Sequence, residues 1–160
     1  MRQVNLSRAV LGGFIATLVM TALLYLAPLA GTPKMDIAAL LGSFLGHGTA
    51  PVSMSALWWA GMLWHFLNGT IIFSLIYAYF VYGWLRGDDW LRGAIWGTVL
   101  WIAMEIVIMP LRGNGVFSDH AIHAGARVLT SFIVLAVYGA ILGAIAGAQA
   151  EHTFQVAHPA

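Results

Sequence analysis

Four apolar stretches divide this chain: Leu11–Leu29, Ala56–Tyr82, Gly93–Met109 and Arg127–Ala148. Each is close to, or longer than, the ~20 residues a helix needs to cross ~30 Å of hydrocarbon. Helix is the only form open to them, because lipid cannot satisfy free backbone groups and period-2 alternation is absent. The punctuation falls between them, at Pro28, Gly31 and Pro33, at Gly48 and Pro51, at Arg86-Gly87-Asp88-Asp89, and from Pro110 to Gly115. The chain therefore reads as one all-α membrane domain over 1–160, an integral membrane four-helix bundle with a tail at 149–160.

Composition agrees with lipid as the solvent. Hydrophobic residues make up 61% of the chain and charged residues 8%, against roughly 25% charged in soluble domains. A net charge of +1 offers no basic patch to meet phosphates, which argues against nucleic acid. Without cysteine there is no disulfide, thiolate catalysis, Fe–S ligation or covalent haem attachment.

The first stretch has Arg2 and Arg8 ahead of it, like a signal peptide. Its apolar run exceeds a usual signal core and no small-x-small site follows, so it reads as a retained span. With the N-terminus inside, Arg2, Arg8, Arg86 and Arg92 face the cytoplasm, and Lys34, Arg112 and Arg127 face outward. That slight excess predicts N-in and C-in. Trp58 and Trp59 mark one interface, Trp84 and Trp90 the other.

Laying Arg8 on Arg92 also superposes Gly13 on Gly97 and Met20 on Met104. Pro28 then falls near Pro110, Gly31 near Gly113, Asp36 near Asp119, and Tyr77 over Tyr138. This pattern suggests a tandem duplication of a helical hairpin, with the Asp36 and Asp119 loops converging over one mouth. Gly139, Gly143 and Gly147 form a GxxxGxxxG row, and Gly93 and Gly97 start the third span; such rows let helix backbones approach, within the bundle or against a second subunit. Between the first two spans, Lys34–Gly48 is apolar but too short to cross. It reads as an interfacial helix capped by Thr32, or as a re-entrant element carrying His47 over the bundle entrance.

Ionisable groups inside spans are the functional signal. His65 lies ~13 Å into the second span and Glu105 ~7 Å from the same face in the third, at 1.5 Å per residue. A His65–Glu105 hydrogen bond is expected if those helices adjoin, with Asn68 on the His65 face. His120 and His123, spaced i, i+3, share a side if the fourth helix begins early. Together with His47, His65, Glu105 and Asp119 they supply donors that suit zinc, copper or iron. A haem between His65 and His123 is a further option, set against by their different depths. The bland alternatives are a neutral His65 bonded within the bundle and a protonated Glu105.

Three functions follow. The first is a non-catalytic subunit or assembly partner of a larger membrane complex, since no nucleophile elbow, phosphate loop or paired-carboxylate motif is present. The second is a metal or haem protein built on the His/Glu set. The third is a small proton or solute transporter, which would need an oligomer; the dry run Ile71-Ile72-Phe73-Ser74-Leu75-Ile76 argues against a continuous pore. The expected partners are the bilayer and either a membrane protein or a second copy of the chain.

Several short stretches resemble a group of small bacterial four-helix membrane proteins of unknown function. They are Pro33-Lys34-Met35-Asp36-Ile37-Ala38, His65-Phe66 with Gly69, Leu91-Arg92-Gly93, and Met109-Pro110-Leu111 with Gly113, Gly115 and Phe117. The resemblance implies that Asp36 and His65 belong to the shared pattern, and it implies no activity. Glu105, His120 and His123 depart from the apolar or small residues usual there.

Overall fold

The computed structural model describes residues 4–147. Among these the chain is helical, without strands, and four helices are long and apolar enough to cross a membrane. They are α1 (Leu6–Ala30), α3 (Ala56–Val81), α4 (Asp89–Leu111) and α5 (Ala124–Gly147), with the short α2 (Ile37–Leu45) between the first two. The first, third and fourth spans begin earlier than the apolar runs suggest, since residues such as Arg8, Asp89 and Arg92 sit in first turns that hydropathy discounts, while the second begins at Ala56 as expected. The tail at 149–160 and Arg2 lie outside the described residues.

Caps explain the boundaries. Asn5 accepts the Ser7 N–H at 3.0 Å and Ser55 the Trp58 N–H at 3.3 Å, each meeting a donor that a helix start leaves open. Pro28 tightens the last turn of α1 into a 3₁₀ turn, which Gly31 closes at φ 84°. α2 departs from expectation: its cap is Asp36, which accepts the Ala39 N–H at 2.9 Å, while the Thr32 hydroxyl finds no partner among the described residues.

Around the bundle the order is α3, α1, α5, α4. The α4–α5 seam is the tightest. A methyl group on Gly93 would strike the Gly139 carbonyl, and one on Gly139 the Gly93 carbonyl. Gly97 meets the Leu135 carbonyl and Gly143 that of Asp89 in the same way. The glycine row is thus used inside the bundle. Between spans lipid supplies no hydrophobic drive, so backbone approach and dispersion carry the association.

α3 and α4 meet chiefly where Tyr77–Val81 passes α4. That end is filled by Tyr77, Tyr82, Trp96, Tyr138, Leu142 and Ala146, all buried. Tyr77 and Tyr82 are therefore interior residues, while Tyr79 is exposed. Trp59, Trp84 and Trp90 stand on the surface, but Trp58 is buried. Toward the other end α3 and α4 part, and α2 packs across the first turns of α3, where Gly61 lies against the Ala38 carbonyl. Leu11, Leu18, Leu63, Val99, Ile106 and Leu129 turn outward as a surface for lipid.

Candidate functional site

Where α3 and α4 part, the bundle encloses a cavity of about 680 Å³. Its walls are largely apolar: Met20 and Leu24 of α1, Phe73 of α3, Leu100 and Val107 of α4, Val134 of α5. His65 and Asn68 stand deeper on the wall, and Lys34, Asp36, Arg112 and Arg127 surround the mouth. The Tyr77–Tyr138 packing closes the far half, so the cavity has a floor.

His65 is 4% exposed, and its partner is on α1. The Thr21 hydroxyl donates its one proton to the Thr17 carbonyl at 2.7 Å, so its oxygen accepts from His65 Nε2–H at 2.9 Å. This places the ring hydrogen on Nε2 and leaves Nδ1 without a hydrogen bond to any described residue. The helix beneath His65 is irregular. Asn68–Ile72 is a π turn in which the Phe73 N–H reaches the Asn68 carbonyl. The Gly69 carbonyl takes the Tyr138 hydroxyl at 2.6 Å and the Ser74 hydroxyl at 2.8 Å. Such π turns occur often at functional sites.

Glu105, 1% exposed, lies in another π turn, Met104–Ile108. Ser118 donates to one carboxyl oxygen at 3.0 Å, and the Ser131 hydroxyl stands 2.9 Å from the other. Ser131 also accepts Trp101 Nε1–H at 3.1 Å and divides its own proton between Glu105 and the Val128 carbonyl. Ser118 reaches inward because its backbone is left-handed, at φ 55°. His65 and Glu105 therefore do not bond to each other: one turns to α1 and the other to α5, because α3 and α4 do not adjoin at that depth.

The remaining donors are dispersed. His47, His120 and His123 are exposed and none lines the cavity. His120 and His123 fall in the turn ahead of α5, which starts at Ala124, so no helix face joins them. His120 Nε2 lies 3.8 Å from Asp119, whose side chain is also exposed. Asp119 does not line the cavity, so the expected convergence of the Asp36 and Asp119 loops over one mouth is not found. Among the described residues no three His, Cys, Asp or Glu side chains gather as a metal would need, and His65 and His123 do not face one another across the cavity as haem ligands would.

Asp36 is the ordering group of the mouth. Its carboxylate accepts Tyr25 Oη–H at 3.0 Å, Trp58 Nε1–H at 3.0 and 3.1 Å, and the Ala39 N–H. Partial burial works to raise its pKa. The hydrogen bonds from Ala39, Trp58 and Tyr25, with the Lys34 charge, outweigh burial and hold it below the usual carboxylate value. Thr21, Ser118, Ser131 and Arg127 are the site residues that sequence reasoning missed. Only Arg127, a cation one turn into a span, carried a visible signal.

A family of unknown function (DUF6789) matches residues 3–156. The chain belongs to that family. Neither a curated protein nor a solved structure matches it. The family assignment agrees with the resemblance to a small family of unknown function, and it brings no activity with it.

Proposed function

We propose that this protein is a non-catalytic accessory component of a bacterial inner membrane that holds a lipid chain within its bundle. The observation that carries the reading is the cavity of about 680 Å³, apolar along its walls and set where two spans part. That volume lies within the ~300–1,000 Å³ typical of ligand sites. A gap between α3 and α4 gives a chain a sideways route from the bilayer, which a water-filled enzyme cleft would not need. Tyr77, Tyr82 and Tyr138 fill the opposite half, which favours holding over conduction. With the N-terminus inside, the mouth opens on the outer leaflet.

The test is native mass spectrometry of the full chain taken from its membrane in mild detergent. One retained lipid per chain is expected, and Val134→Trp or Leu100→Trp, each adding a ring to the cavity, should remove it while the melting profile persists. A lipid-free protein, or equal retention in both tryptophan variants, overturns the reading.

A further inference from the structure

Arg127 is a half-buried cation with nothing to hold. It sits in the first turn of α5 on the cavity wall, and its guanidinium makes no hydrogen bond or ion pair with any described residue. Its Nε is shut off from the surface with no acceptor. Arg112 is only partly engaged: one of its N–H groups donates to the Gly48 carbonyl at 3.0 Å and its guanidinium lies 5.8 Å from the centre of the Phe44 ring, but its Nε is buried and unmet. Lys34 is the third cation at this mouth. Asp36, the only carboxylate among the described residues of the cavity wall, is already engaged by Tyr25, Trp58 and Ala39. Glu105 is turned to its two serines.

Buried donors without acceptors are costly, and a guanidinium most of all. Arginine presents a planar fork that matches the oxygens of a phosphate. The mouth carries three positive charges and one negative. Setting Lys34 against Asp36 leaves the two arginines and a net +2, which a phosphomonoester, at about −1.5 to −2 near neutral pH, would balance. A free phosphate would satisfy the arginines and leave the apolar cavity beside them unfilled.

We infer that Arg127 and Arg112 form a headgroup subsite for an anionic lipid bearing a terminal phosphate, with its chain in the cavity. This inference rests on the lipid-holding reading above and adds the class of headgroup.

The experiment titrates the purified full-length protein in neutral detergent with dioleoyl phosphatidic acid, dioleoyl phosphatidylcholine and inorganic phosphate. The expected result is phosphatidic acid binding at least about tenfold tighter than phosphatidylcholine, with inorganic phosphate failing to compete. Arg127→Gln should erase that preference, and Arg127→Lys should restore only part of it. Arg86→Gln, at an exposed site away from the cavity, should leave it intact. Equal binding of the two lipids, abolished by Val134→Trp, would overturn the headgroup subsite and leave the cavity reading standing. Binding of neither lipid would overturn both. Inorganic phosphate binding that survives Val134→Trp would mean a free-anion site, and equal losses in R86Q and R127Q would mean diffuse surface charge; either overturns the inference.

Discussion

His65 Nε2 lies 2.9 Å from the Thr21 hydroxyl, whose own proton is spent on the Thr17 carbonyl. The pair ties α3 to α1 beside the cavity and sets which nitrogen of the ring carries hydrogen. A histidine inside a span is thereby accounted for without a charge.

Thr21→Val leaves that ring N–H facing a methyl group. Losing the acceptor should cost about 1–3 kcal/mol, read as a lower melting temperature in detergent. Thr21→Ser should behave as the parent. Thr21→Val with His65→Phe should recover most of the loss, because the donor has gone too. A double variant as weak as the sum of both single changes would refute the pairing.

Glu105→Gln keeps an acceptor for Ser118 and should stay within about 1 kcal/mol of the parent. Glu105→Leu strands the buried Ser118 hydroxyl, while Ser131 keeps the Val128 carbonyl, and a loss of roughly 1–3 kcal/mol is expected. Chemical denaturation of the three proteins side by side distinguishes the outcomes. Equal stability of the Gln and Leu variants would show that the serine contacts contribute nothing.

Asp36 predicts a pH dependence with a definite sign. Its carboxyl is held below the ordinary value in the fold, so the stability it contributes is present above the unfolded pKa of about 3.9. That contribution disappears as the pH falls through the lowered folded value. Asp36→Asn should flatten the acid limb of a melting-temperature profile and change little between them at the lowest pH. An identical acid limb in both proteins would remove Asp36 as its source.

The α4–α5 seam makes a steric prediction. Gly139→Ala puts a methyl group into the Gly93 carbonyl, and overpacking of this kind costs about 1–3 kcal/mol. Gly83 has no neighbour within 4 Å of the same added atom, so Gly83→Ala is the matched control. The comparison is thermal stability in one detergent. Equal melting of the two variants would mean that the seam is loose.

The spans were legible because the bilayer imposes one length and one polarity on every crossing helix. Their partners were not. Hydropathy says that Ala56–Val81 and Asp89–Leu111 both cross, but not that they part where His65 and Glu105 lie, so the expected contact between those residues failed. The donors that replaced it, Thr21, Ser118 and Ser131, look neutral in a sequence and acquire meaning only from the helix opposite. Thr21 and Glu105 do sit at the same offset that superposes Arg8 on Arg92, and each bonds to the second span of its own hairpin. The two loops that a duplication would make equivalent differ: Asp36 is locked by a tryptophan and a tyrosine, whereas Asp119 faces solvent. The π turns at Asn68–Ile72 and Met104–Ile108 have no signature in apolar periodicity, yet they set the register of His65's neighbour Asn68 and of Glu105.

The contrast between the glycine seam and the parted spans makes the bundle mechanically one-sided. On the Gly93–Gly139 side backbone rests on backbone and has nothing left to compress. On the side between α3 and α4, side chains border an opening. Lateral pressure in a bilayer is borne by the stiff side and taken up as strain by the compliant one, so membrane thickness and tension should set the width of the opening.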